Sequence, residues 1–144
     1  MTSANAHWIL PSVTFGYNEY SNNGWKLGNA SSFGGITLDT PLTVPFKVSF
    51  ICTEQWTRTP QINNGPTRYI EFKASQVDNS GTNTSHTFQL NKEYHILFLS
   101  DKVELYCEDI LISQKSVTST SNDFSMTVGG NRGNRMKDFK IELL

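Results

Sequence analysis

Along much of this chain, apolar and polar residues alternate with a period of two, the spacing that sends successive side chains to opposite faces of a β-strand. The pattern is sharpest in KVELYCEDILI, residues 102–112. Val103, Leu105 and Cys107 fall on one side, and Lys102, Glu104, Tyr106 and Glu108 on the other. Glu108-Asp109 interrupts the apolar pattern and Ile110-Leu111-Ile112 resumes it, which predicts a core hairpin with a two-residue turn and Glu104 and Glu108 on its wet face.

The same alternation runs through FKVSFICTE, residues 46–54, where Phe46, Val48, Phe50 and Cys52 share a side. The run YHILFL, 94–99, is apolar on both faces apart from His95 and predicts a central strand covered on both sides. Residues 8–10 and 13–15 read as a bent or edge strand broken at Pro11, because proline cannot donate to a ladder. Shorter strands are predicted at 25–27, 36–38 and 69–74, and Phe124, Met126 and Val128 alternate near the end. The chain closes on KDFKIELL, in which Phe139, Ile141 and Leu143 are expected to face inward. Residues 77–85 read as a polar hairpin loop, and 55–67 as the longest candidate functional loop. No segment longer than about ten residues carries the helical period. Roughly ten to thirteen short strands in one domain, residues 1–144, predict an all-β fold, either an antiparallel two-sheet sandwich or a barrel.

Composition agrees, with 12% aromatic and only 17% charged residues. A net charge of −1 gives no electrostatic reason to bind nucleic acid or an anionic membrane. No apolar run approaches the roughly 20 residues that span a bilayer, so membrane insertion is not expected. The opening MTSANAHWIL lacks a basic stretch followed by a long apolar one, so no signal peptide is read in this chain. Cys52 and Cys107 sit at alternate strand positions and read as buried thiols, with a disulfide between their strands left open. The two Cys and three His make no zinc pattern.

The strand VELYCEDILI, the aromatic-led FSMTVGG, a glycine and asparagine loop and the terminal KDFKIELL together resemble the concanavalin A-like (laminin G-like) jelly roll. GWKLGNASSFGGITLDTPLTVPFKVSFIC resembles the opening strands of such domains in phage tail and microbial surface proteins. The resemblance covers most of residues 24–144. It implies a jelly-roll sandwich serving as a lectin-like or adhesion module, in an extracellular or virion-surface setting. The family also holds protein binders and some glycoside hydrolases, so the site has to decide.

Hydrolysis on this scaffold needs two carboxylates flanking the sugar bond. The glucanases of this fold carry Glu-x-Asp-x-x-Glu on one strand; here the nearest approach is Glu104 to Glu108, with Tyr106 where the aspartate belongs. Glu71 and Glu142 are lone strand carboxylates, and no nucleophile elbow occurs. His95 reads as a sheet-face or core histidine. The GGNRGNR run, 129–135, precedes a strand, so it lacks the helix N-terminus of a phosphate loop. No catalytic residue is assigned. Calcium, common in the family, needs several converging oxygens. Asp78 with Asn79 and Asn83, or Asp39 with Asn29, could contribute, but hydrated turn residues are the simpler reading, and no cofactor is expected.

Sugar recognition fits the loops better. A pyranose stacks an apolar face on Trp or Tyr and offers hydroxyls to Asn, Gln or Arg. One such group is Tyr17, Tyr20, Asn22, Asn23 and Trp25; a second is Trp56, Arg58, Gln61, Asn63 and Asn64. Arg132, Asn134 and Arg135 would complete a rim if their loop lies at the same end. Trp25, sharing a face with Leu27, is better accounted for as core, while Trp56 fits a platform or a sheet-edge cover equally. The expected partner is a cell-surface glycan or polysaccharide. The alternative is a structural or assembly protein that buries Trp56 and the Arg-bearing loop in a homo-oligomeric contact.

Overall fold

The computed structural model describes the backbone of residues 7–8, 13–15, 18–21, 24–27, 34–38, 44–54, 60–63, 69–73, 76–117, 125–128 and 134–144, with side chains within 44–53, 62, 69–73, 76–117, 137–138 and 140–144. Those residues hold fifteen strands and no helix, in two sheets. The first sheet runs β13 (Ile110–Ser116), β12 (Lys102–Cys107), β11 (Glu93–Phe98), β6 (Phe46–Glu54), β15 (Asn134–Leu143), β4 (Gly24–Leu27) and β3 (Asn18–Ser21). Against β15 lies β1 (His7–Trp8), the one parallel pairing among the described strands. The second sheet runs β10 (Thr82–Asn83), β9 (Val77–Asn79), β8 (Tyr69–Phe72), β7 (Pro60–Asn63), β14 (Ser125–Val128), β5 (Gly34–Leu38) and β2 (Val13–Phe15). The sandwich, and not the barrel, is the architecture.

Alternation builds the core directly. Phe46, Val48, Phe50 and Cys52 of β6, Tyr94, Ile96 and Phe98 of β11, and Val103 and Leu105 of β12 are all fully buried. The second sheet answers with Ile62, Ile70, Phe72 and Val77, also fully buried. Each such aliphatic or aromatic side chain stabilises the fold by about 1.5–3 kcal/mol through area removed from water. Phe50, Phe72, Phe88 and Tyr94 form one aromatic cluster, with Phe72 edge-on to both Phe50 and Tyr94 at ring distances of 5.3 Å. Cys52 and Cys107 are buried thiols with no disulfide between them. Strand β11 lies between theirs, so they stand two strand spacings apart, roughly 10 Å, beyond the reach of a disulfide.

Five expectations need correction, the last in the hairpin at 102–116. Within 55–67, Pro60–Asn63 is a strand in the middle of the second sheet, with Ile62 fully buried; proline is tolerated because it is the first residue of the strand. Val77–Asn79 and Thr82–Asn83 are strands too, joined by a turn in which Ser80 (φ 48°) and Gly81 (φ 87°) both adopt the left-handed region. Strand β11 is central in its sheet but covered on one face only, since His95 and Leu97 remain half-buried on the outside. Leu143 shares the inward face of Phe46, its partner at the last rung of the ladder, yet is 53% exposed at the end of the strand, where burial was expected.

The hairpin at 102–116 forms, with Glu108 (φ 48°) and Asp109 (φ 68°) in the doubly left-handed turn that tight hairpins favour. Its second strand departs from the core role expected of it. Leu105 pairs with Ser113 but Tyr106 with Leu111, so Ile112 is the extra residue of a β-bulge. Strand β13 is then a sheet edge on which Ile110 and Leu111 are 67% and 48% exposed.

One buried polar side chain couples the sheets. Asn79 of β9, fully buried, donates from Nδ2 to the Val103 carbonyl (2.9 Å) and to Ser113 Oγ (3.1 Å), and its Oδ1 accepts from Ser80 Oγ (3.1 Å). Asn79→Ala is expected to lower unfolding stability by about 1–3 kcal/mol, because it leaves buried acceptors without a donor; urea denaturation with an unchanged m-value checks it.

Candidate functional site

Strand ends place the connections. The strand ends that flank 16–17, 28–33, 55–59 and 129–133 lie at one end of the sandwich, where β6 finishes at Glu54 and β15 begins at Asn134. Connections 73–76 and 84–92 belong to the same end. Of the sequence-predicted residues, Tyr17, Trp56, Arg58 and Arg132 lie in these connections, outside the described residues. Asn134 pairs with Leu27, and Arg135 with Lys26 and Glu54, at the same end of the first sheet. Gln61 is a strand position paired with Glu71 and Thr127. Asn63 pairs with Tyr69 and Ser125 at the far end of β7, where Asn64, outside the described residues, follows it. Tyr20 pairs with Trp25, itself paired with Met136, which pairs with Cys52. Asn22 and Asn23 lie outside the described residues; the Ser21 and Gly24 strand ends that flank them are at the end of the sheet opposite Glu54.

Among the described side chains a second surface stands out. The strands that fill the core with one set of residues turn the other set outward, and on the first sheet these fall into rows. Leu111, Tyr106, His95, Ser49 and Lys140 form one row, and Gln114, Glu104, Leu97, Lys47 and Glu142 the next. A cavity of about 320 Å³ opens there, lined by Lys47, His95, Leu97, Tyr106, Asp109 and Leu144. Such a volume suits a small ligand. Sequence reasoning placed Glu104 and Tyr106 on one face of a hairpin but treated His95 apart from them. The signal that unites them is the outward half of three alternating strands that pair.

Hydrogen bonds hold this face in place. Ser49 Oγ lies 3.0 Å from His95 Nδ1, while His95 Nε2 meets Glu93 Oε1 at 2.7 Å and Asp109 Oδ1 at 3.5 Å. Tyr106 donates to Glu104 Oε1 at 3.2 Å, and loss of water together with that carboxylate pushes its phenol pKa up. Glu142 binds Lys140 and, at 2.9 Å, Lys47. Those two ammonium groups, Lys140 first, hold its carboxyl below the usual range, and Glu142 in turn raises Lys140.

Ser49, His95 and Glu93 line up as a hydroxyl, imidazole and carboxylate, yet the surroundings do not suit acyl transfer. Ser49 is 5% exposed in mid-strand, between ladders to β11 and β15 that consume the neighbouring backbone N–H groups an oxyanion would need. For glycoside hydrolysis, Glu104 and Glu142 stand three strand spacings apart, roughly 14 Å between backbones, beyond the window of about 5–9.5 Å between carboxylates. The closer pair, Glu93 and Asp109, is tied to the shared His95 Nε2. Metal ligation is equally unsupported: the described residues hold no group of three or more His, Cys, Asp or Glu side chains placed to hold an ion. Asp78 accepts from Lys73 Nζ (2.7 Å) and Gln76 Nε2 (2.8 Å), Asn79 is spent on Val103, Ser113 and Ser80, and Asn83 Oδ1 accepts from the Ser85 amide. Asp39 and Asn29 lie outside the described residues.

No protein-family model matches the chain, and no curated protein sequence matches it. Solved structures do match its fold. The carbohydrate-binding module CBM66 from Bacillus subtilis superposes with a TM-score of 0.64 at 12% identity, over 94% of this chain and 98% of that one. The VIP36 exoplasmic/lumenal domain in its Ca2+/Man-bound form gives 0.59 at 10% identity, over 94% and 84%. A Crh5 transglycosylase in complex with NAG gives 0.62 at 10% identity, over 92% and 78%. At such identities the likeness is one of fold, and the fold is the concanavalin A-like jelly-roll sandwich.

The Glu142 ion pairs carry a pH signature. Its folded pKa is depressed, so its contribution is complete above the unfolded value of 4.5 and is lost as pH falls through the folded one. Glu142→Gln should therefore flatten part of the stability loss between pH 5 and 3 seen in denaturant titrations. A slope equal to that of the parent protein would show that the pairs contribute nothing.

Proposed function

We propose that this chain is a non-catalytic, lectin-like carbohydrate-binding module that recognises a cell-surface glycan or polysaccharide. The observation that carries the reading is the outer-face cavity, where the Tyr106 ring stands with Lys47, His95 and Asp109. An aromatic ring offers a face to a pyranose, and groups of both hydrogen-bonding senses sort its hydroxyls. What supports it further is that fold-mates include a carbohydrate-binding module and a mannose-bound lumenal domain. Tyr17, Trp56, Arg58 and Arg132, with Asn134 and Arg135, are proposed to extend the surface from the loop-bearing end. Binding is proposed to need no metal, since Asp78, Asn79 and Asn83 are engaged within the fold. The proposed setting is extracellular or on a virion surface, as a receptor-binding module of a phage tail or microbial surface protein; the resemblance of the opening strands supports it.

A second reading, a structural or assembly protein built on homo-oligomeric contacts, draws on the exposure of Ile110 and Leu111 at a sheet edge. The fold-mate with transglycosylase activity keeps a hydrolase reading in third place.

A glycan array followed by calorimetry on its hits decides. Saccharide binding that survives EDTA is expected, with Tyr106→Ala weakening it about tenfold or more. Loss in Trp56→Ala with Tyr106→Ala unaffected would move the site to the loop end. A stable dimer or trimer by light scattering with no glycan signal favours assembly. Release of reducing sugar that disappears in Glu104→Gln would overturn the non-catalytic assignment.

A further inference from the structure

We propose that residues 84–92 form a strap, latched by His86 on the Tyr94 hydroxyl, that opens on acidification while both sheets stay folded. The proposal stands apart from the glycan reading. The strap carries the chain from β10 in the second sheet to β11 in the first, at the loop-bearing end of the sandwich. Its start is tied to β9: the Thr84 amide donates to the Val77 carbonyl at 2.9 Å, Thr84 Oγ1 donates to the same oxygen at 2.7 Å, and the Val77 amide donates to the His86 carbonyl at 3.1 Å. Its end is tied to β6 by the Asn91 amide on the Cys52 carbonyl at 2.8 Å. Between these ties Phe88 plugs the core at 7% exposure, 5.0 Å from the Phe72 ring and 5.4 Å from that of Tyr94.

Two contacts fasten the middle of the strap, and both go to one oxygen. The Gln89 amide donates to the Tyr94 hydroxyl at 2.9 Å, and His86 Nε2 lies 2.9 Å from it. An amide only donates, so the phenol oxygen accepts from Gln89; in the proposed latch it gives its own proton to Nε2. The imidazole is then neutral, with its proton on Nδ1. Acid converts Nε2 from acceptor to donor. The phenol oxygen would face two donors, and its proton would have to turn to the Cys107 thiol, a weak acceptor.

No described carboxylate compensates the new charge. Besides Tyr94 of β11, the described titratable groups at this spot are Cys107 of β12 and Cys52 of β6, both lying against Tyr94. Lys92 and Glu108 act on Cys107. On β9, Asp78 is committed to Lys73 and Gln76, and on β8, Glu71 lies 3.5 Å from Lys73. Burial pushes the His86 imidazole below its ordinary 6.5. An open strap therefore takes up the proton more readily than a latched one. The latch is at full strength above pH 6.5 and weakens as pH falls through the lowered value.

Amide hydrogen exchange by NMR between pH 7.5 and 5, corrected for intrinsic exchange chemistry, tests this. Gln89 and Asn91 are expected to lose protection, while Ile96 and Leu105 in the central strands hold theirs. In His86→Gln, which keeps an acceptor but cannot titrate, the response should be flat. Unchanged protection in the parent protein, an equal loss at Ile96 and Leu105, or an undiminished response in the variant would each overturn the strap. Nitrogen-15 titration of the parent imidazole supplies a readout that needs no variant. A proton on Nδ1 and a midpoint below 6.5 support the latch; a proton on Nε2 or a midpoint at or above 6.5 overturns it.

Discussion

Tyr94 is where the two sheets and the chain between them meet. Its register pairs it with Phe50 on one side and Cys107 on the other, in the middle of the first sheet. Its ring stacks on Phe50, meets Phe72 of the opposite sheet edge-on and touches Phe88 of the strap. An aromatic side chain with a polar tip is suited to this position, because the ring satisfies the core while the hydroxyl must find partners once buried. Those partners, Gln89 and His86, both belong to the strap. Burial raises the phenol pKa well above the tyrosine norm, so the hydroxyl keeps its proton and remains a donor. One side chain thus converts hydrophobic packing between sheets into a fixed path for the chain across the end of the sandwich.

The alternation that makes the core also leaves an outer face to be used. A strand spends its backbone donors and acceptors sideways on its neighbours, so a sheet face offers a ligand only side chains. Such a surface suits recognition, in which rings, carboxylates and ammonium groups are displayed on a rigid grid. It suits acyl transfer poorly, because no backbone donors converge there. Ser49, His95 and Glu93 illustrate the distinction: hydrogen bonds order them, yet Ser49 is closed to substrate by neighbours on two ladders.

The sequence was most legible where a strand carried several turns of the alternating pattern. Phe46 to Cys52 and Val103 to Cys107 each offer at least three core positions and were read with the correct inward face, whereas Tyr94 to Phe98, apolar on both sides apart from His95, was read as covered on both. Pro60–Asn63 offers one, Ile62, between polar residues, and one apolar residue defines no period. Val77–Asn79 was missed for a different reason. Asp78 and Asn79 are buried polar groups whose partners, Lys73, Val103 and Ser113, are brought to them by the fold. Periodicity has no means of anticipating such compensation. The cavity on the outer face was hidden likewise, since Lys47, His95 and Tyr106 become neighbours only through strand pairing. Trp56 and Arg58, prominent in the sequence for their chemistry, lie outside the described residues, and their roles rest on sequence chemistry and on the end of the sandwich to which their connection belongs.

The edge strand β13 bears on whether this sandwich recognises other molecules or assembles with copies of itself. Exposed Ile110 and Leu111 next to unpaired edge groups would ordinarily invite another strand to add on. Two features oppose that. The bulge at Ile112 interrupts the register, so Leu111 shares Tyr106's outer face while Ser113 shares Leu105's inner one. A partner strand with regular alternation cannot match both halves. Lys115, opposite the core residue Val103, points inward and donates to Thr82 Oγ1 of the second sheet's edge strand. Adding a strand alongside would crowd this ammonium group and cost part of its solvation. Bulges and inward lysines are the devices by which sheet edges avoid one another, and here both occur on one short strand. The apolar residues they leave exposed are therefore better placed for side-on contact: Leu111 lies in the row of Tyr106 and His95, where it extends the apolar part of the candidate binding face.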